Sequence, residues 1–262
     1  MYEISTIGLI ILTAVMISAS VQDVRTREVS DIHWLILGVA GIVMTVAGMH
    51  DNVSIERMMI AAGAALIVFD LLYDREWPIR LNAAFYGIMA LLFIIPLITS
   101  ADDTFVMNSM VVPACYLIFA AMFYTGAIKG GADVKCLISV AIMFPLYPEM
   151  FGYPLIAVPD SVLSTVISFP LAVLFHASIM SMSAIVFVII RNIVRGDTES
   201  PNMLTGYKIN AADAEKAHVW PMKNSSPDAD GRTWVTPKIP FIVPITAAVL
   251  FVALIGNILF LL

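Results

Sequence analysis

The chain of 262 residues is 60% hydrophobic and 13% charged, with a mean hydropathy of +0.91. Ordinary soluble domains carry roughly 25% charged residues, so a water-facing globular fold is excluded. The formal net charge of −6 would suit a basic partner, but in a membrane chain the placement of charges matters more than their sum, and nothing points to nucleic acid.

A span takes roughly 20 apolar residues, because lipid offers no partner to a bare N–H or C=O. Residues 5–22 supply the first such run. Met1 to Thr6 contain no Lys or Arg, so this run reads as a permanent helix despite the small residues Ser18, Ala19 and Ser20. Runs at 32–49, 57–73, 82–99 and 109–128 predict the next four helices. The sixth, 134–147, is short and ends at Pro145, which predicts a tilted helix or one partly buried against protein. The seventh, 162–190, is the longest, and Pro170 should kink it or mark a boundary near its start.

Residues 191–239 are polar, with Trp220 and Trp234, and are too few for a large independent core. They predict a small cytosolic subdomain against the membrane surface, open to short strands. Residues 240–262 form the last helix. The expected fold class is an all-α polytopic membrane protein of about eight transmembrane helices, with 1–190 holding the first seven.

Lys and Arg are retained on the cytoplasmic side of short loops. With the N-terminus outside, every Lys and Arg except Arg57 falls on the inner side, including Arg25, Arg27, Lys129, Lys135, Lys216, Lys223 and Lys238. The short sixth helix is needed for this, since Lys129, Lys135 and the basic segment after Arg191 share a side only if two crossings separate them.

Acids at membrane boundaries are costly and therefore candidates for function. Asp23 follows the first run and opens the stretch Asp23 to Asp31, while Asp133 closes Gly130-Gly131-Ala132-Asp133 between helices five and six. The expected topology brings both to the cytoplasmic face. Two carboxylates within reach can hydrolyse a peptide through water alone, one ionised as base and the other protonated as acid, titrating as a unit. Gly130 and Gly131 would let the backbone turn sharply and a substrate come close.

Asp70 inside the third run suits an interhelical hydrogen bond, His176 suits packing, and Cys115 and Cys136 lack the spacing of a metal site. No metal and no cofactor are expected. The same acids and His176 would also suit a proton-coupled transporter, although the helices show no repeat symmetry.

Gly130-Gly131-Ala132-Asp133 resembles the motif of GxGD membrane aspartyl proteases. Asp23 to Asp31 with His33-Trp34 resembles the first aspartate region of the archaeal preflagellin and prepilin peptidases, and Trp234 to Pro244 is similar to that family's approach to its last helix. The resemblance implies Asp23 and Asp133 as the catalytic pair and, as substrates, archaellin or type IV pilin-like precursors that lose a short basic leader. It implies cleavage without methylation, since the cysteine-rich zinc loop of the bacterial enzymes is missing. Glu28, Asp31, Asp74 and Glu76 are expected to attract the leader's basic residues. Membrane lipid is the other expected partner, and a homo-oligomer is left open. A presenilin-like protease is the second protease reading, but Gln22 stands where that group has Tyr.

Overall fold

The computed structural model describes residues 2–49, 52–160, 162–214, 219–222, 228 and 230–261, so Lys216 and Lys223 of the expected inner set lie outside the described residues. The described chain is mostly helical. Four stretches are long and apolar enough to cross a membrane: α1 (Tyr2–Thr26), α4 (Ile79–Thr99), the continuous stretch of α5 (Thr104–Ser109) and α6 (Val111–Tyr124), and α9 (Phe169–Arg195). Between them come α2 (Ile32–Ala47), α3 (Ile55–Leu72), α7 (Gly131–Met143) and the short α8 (Val162–Val166).

The helix limits follow from local chemistry. Ser54 caps α3 by accepting from the Arg57 amide at 3.3 Å. Asp103 accepts from the Phe105 amide at 2.9 Å, so the fifth helical stretch starts at Thr104 rather than at the expected 109. Pro170 sits in the first turn of α9, where a missing N–H costs nothing, and the expected 162–190 run is divided there. Asp103 also takes Arg57 through Nε at 2.7 Å and Nη2 at 2.9 Å. The one basic residue expected outside is therefore neutralised by its neighbour, and the Arg57 guanidinium holds the Asp103 carboxyl below its ordinary value.

Helix α7 is the centre of the bundle. Val134 and every residue from Cys136 to Met143 are buried, against α2, α6 and α9. Thirteen residues rise only about 20 Å, less than the ~30 Å of lipid hydrocarbon. Being enclosed by other helices, α7 needs no longer apolar run. It comes close to α2 at Gly41, where a Cβ would stand 2.9 Å from the backbone of Ile142 and Met143. Helix α1 packs on α2 and on the last helix, α12 (Ile242–Leu254), which also packs on α9.

Residues between α9 and α12 carry α10 (Asn202–Thr205), β1 (Tyr207–Asn210), α11 (Ala211–Ala214), β2 (Val219–Pro221) and β3 (Arg232–Pro237). The strands form an antiparallel sheet of order β1-β3-β2, with Tyr207 opposite Val235 and Trp220 opposite Thr236. Lys208 bridges Glu199 at 2.7 Å and Asp228 at 3.2 Å beneath Trp234. Asn192 of α9 donates to the carbonyls of Met203 at 2.9 Å and Gly206 at 2.6 Å, fastening this unit to the bundle.

The last helix is shorter than the expected 240–262. Leu155 and Ile156 donate their amides to the carbonyls of Leu254 and Ile255, at 3.0 and 2.8 Å, and Gly256 turns away with φ +109. The final carbonyls of α12 are thus satisfied from another segment, and only a 3-10 turn over Ile258–Leu261 follows.

Candidate active site

Asp23 stands in the last full turn of α1 and is buried, with 8% of its surface exposed. Its Oδ2 accepts the Ile242 amide at 3.2 Å. Ile242 is the first residue of α12, so the positive end of that helix dipole faces the carboxylate. One turn further along, Ser20 Oγ meets Thr246 Oγ1 at 2.7 Å and Thr246 donates to the Met16 carbonyl at 3.2 Å. These bonds fix α1 against α12 and so fix the depth of Asp23.

Asp133 is the third residue of α7, among amides that have no carbonyl partner within the helix. It is half-buried. A Cβ on Gly130 would collide with the Asp133 carboxylate, so the absent side chain lets that carboxylate fold back over the start of its own helix. Gly130 therefore makes room for the acid itself. Gly131 is exposed and Ala132 half-buried beside it. Each acid thus faces a helix N-terminus, Asp23 that of α12 and Asp133 that of α7.

The two acids line one cavity of about 670 Å³, open at one end of the bundle and walled by α1, α7, and the segment from β3 to α12. Four acids in its lining, Asp23, Glu28, Asp31 and Asp133, face four bases, Arg27, Lys129, Lys135 and Lys238. Asp31 is already engaged by Lys135, at 2.8 and 2.9 Å to its two oxygens. Of the acids expected to meet a basic leader, Glu28 and Asp31 line the cavity, whereas Asp74 and Glu76 lie in the connection between α3 and α4, outside the lining. The acids of the cavity wall do not outnumber its bases, which weakens a purely electrostatic account of leader selection.

Asp70 and His176 are also outside the lining. Asp70 accepts from Tyr116 Oη at 2.6 Å, Tyr86 Oη at 3.0 Å and the Arg75 guanidinium, which lies 3.9 Å over the Phe85 ring. His176 uses Nδ1 on the Ala172 carbonyl at 2.8 Å and packs on Phe251. Each is explained by the helices it joins. Cys115 and Cys136 are free and buried, with Cys136 Sγ 3.5 Å from Met16 Sδ.

Several lining residues carry no sequence signal of a site. Arg27 ends α1 with a left-handed φ of 59°, its amide donating to the Asp23 carbonyl at 3.0 Å, and its Nε and Nη1 are shielded without an acceptor among the described residues. Lys238 Nζ lies 4.1 Å over the exposed Trp220 ring at the mouth. In the sequence these bases read only as markers of the inner face.

Residues 10–78 match the model of the Type IV leader peptidase family. That match includes Asp23 and stops before Asp133. Over nearly its whole length the chain is also similar to two curated preflagellin peptidases. It is 24% identical to that of Methanocaldococcus jannaschii, over 98% of this chain and 94% of the relative. It is 28% identical to that of Methanococcus maripaludis, over 98% and 95%. The resemblance to the archaeal preflagellin and prepilin peptidases is matched by these relatives over nearly the whole chain, and it indicates a protease.

Proposed function

Starting from that kinship with the type IV leader peptidases, we propose that this chain is a membrane aspartyl endopeptidase that removes the short basic leader from archaellin or type IV pilin-like precursors. Asp23 and Asp133 are its catalytic pair. The observation that carries this reading is the convergence of the two acids, 110 positions apart in the sequence, in one cavity and each at a helix N-terminus.

In the reactive state the pair holds one proton. The ionised carboxylate takes a proton from water as the water oxygen bonds to the scissile carbonyl carbon, and the protonated carboxyl gives its proton to the carbonyl oxygen. The resulting gem-diol collapses when the carboxyl that took the water proton gives it to the amide nitrogen, the other carboxylate takes a proton from a diol hydroxyl, and the C–N bond breaks. The dipoles of α7 and α12 stabilise the single negative charge that the pair carries throughout. Which acid begins as the base is a property of the pair.

The chain crosses the membrane about eight times with its N-terminus outside. Residues 191–239 then lie on the cytoplasmic side, as does the cavity, where a leader held in the cytosol and an apolar segment held in lipid would meet. The test is processing of a preflagellin-like precursor in membranes by Asp23→Asn and Asp133→Asn. Each should lose at least about 10³-fold in rate, and the double variant should be no worse than either single one. Cleavage that survives either substitution would remove that residue from the mechanism. A product mass showing a free, unmethylated N-terminus is expected.

A further inference from the structure

A second, smaller cavity of about 190 Å³ adjoins the first, between α9 and the strand unit. Ala184, Ile185 and Val188 of α9 form one wall and Leu204 of α10 another. Its remaining lining includes Thr236, Pro237 and Ile239, which also line the cavity of the two acids, so the end of β3 is a partition with one hollow on each side. The two hollows differ in chemistry. The larger carries eight charged side chains, whereas the smaller carries none and only the Thr205 and Thr236 hydroxyls as polar side-chain groups. Ile185, Leu204 and Ile239 remain exposed around its rim, and the exposed Trp220 lines the larger cavity, so apolar surface runs from the site of the acids onto the flank of α9.

We propose that this apolar hollow is a specificity subsite that takes an apolar side chain of the precursor just C-terminal to the cut. The inference rests on the peptidase reading and deepens it. A peptide bond held between Asp23 and Asp133 meets two kinds of lining. Towards Glu28, Asp31, Lys129 and Lys135 the lining is charged and suits a polar leader. Across Thr236, Pro237 and Ile239 it is apolar except for Lys238, whose Nζ lies over the Trp220 ring, and it continues along α9 towards lipid. Since the first cavity has no excess of negative charge to draw a basic leader, the subsite is the stronger source of selection: in an apolar pocket, one methylene more or less shifts kcat/KM roughly 10- to 200-fold.

The probe is a synthetic peptide in detergent micelles with a basic leader, a cut site and an apolar segment, carrying either Leu or Ala at each of the first three positions after the cut. Ala184→Phe fills the hollow, and Leu204→Ala enlarges it. Wild type should prefer Leu over Ala at one of these positions by about tenfold or more in kcat/KM. Ala184→Phe should abolish that preference by slowing only the Leu peptide, and Leu204→Ala should move it towards Phe in place of Leu. Because both peptides are read on the same variant, general misfolding would slow them together and is told apart. If both variants keep the wild-type preference at all three positions while Asp23→Asn still abolishes cleavage, the subsite is refuted and the peptidase reading stands. A hollow filled by a lipid chain would give that same result. If wild type cleaves neither peptide nor a full-length precursor, the peptidase reading itself fails.

Discussion

Gly41 gives the most direct measure of how tightly α2 and α7 are joined. Replacing it by alanine would set a Cβ 2.9 Å from the Ile142 carbonyl group and the Met143 Cα. Ordinary carbon contacts lie near 3.5–4.0 Å, so the helices must part by roughly 0.6 Å or more. Overpacking a filled core costs about 1–3 kcal/mol. The upper end applies, because the obstructing atoms are backbone and have no rotamer to escape into. Alanine regains about 1 kcal/mol over glycine in a helix interior. The net expectation for Gly41→Ala is a loss of about 2 kcal/mol, a factor of roughly 30 in the folded population. Gly87, in the middle of α4, has nothing within 4 Å of its built Cβ. Gly87→Ala therefore keeps only the propensity gain and should stabilise by about 1 kcal/mol. Reversible unfolding of both variants in mixed micelles, followed by circular dichroism, isolates the packing cost as their difference, about 3 kcal/mol. Equal shifts of the same sign would refute the contact between α2 and α7.

Asp70→Leu should cost about 3 kcal/mol or more in the same assay, because it leaves the Arg75 guanidinium buried and uncompensated. Tyr116→Phe, which removes one hydrogen bond to that carboxylate, should cost about 1.5 kcal/mol. Neither should change the pH profile of cleavage, since neither side chain lines the site; an altered profile would tie this cluster to the chemistry. The Asp103 carboxyl is held below its ordinary value mainly by its hydrogen bond from Arg57. Its contribution is therefore fully present above the unfolded value of about 3.9 and is lost as pH falls through the lower folded value. Comparing wild type with Asp103→Asn, the stability gap should be constant from about pH 7 to pH 5 and close below about pH 4; a gap that widens in acid would contradict the pairing. Thr246→Val removes the hydroxyl that meets Ser20 Oγ and the Met16 carbonyl, loosening Asp23 against α12, and should lower kcat by about tenfold with little change in KM.

The apolar runs were readable because lipid imposes one strong constraint on composition, and Pro170 marked the start of α9 because its ring fits only the first turn. Asp23 and Asp133 were readable for a related reason, since a carboxylate beside a long apolar run stands out against it. The parts that remained hidden are those made by backbone groups or by distant segments. The donor to Asp23 is the amide of Ile242, whose apolar side chain advertises no such role. The early end of α12 depends on the amides of Leu155 and Ile156, roughly a hundred residues earlier in the chain. Gly130 suggested room for a substrate, and the room is taken by Asp133 itself. Arg27 and Lys238 each satisfied the rule for orientation, and that one sufficient explanation concealed their place in the cavity wall.

The enclosure of α7 bears on how the protein would respond to its surroundings. Changes in bilayer thickness act on helices that touch acyl chains, by tilting them or thinning the lipid around them. The buried face of α7 meets protein, chiefly α2, α6 and α9, so such forces reach Asp133 through the helices around it. A pair of acids mounted partly on this shielded strut should keep its spacing in thin and thick membranes alike, while α4 and the outer flank of α9 take up the mismatch.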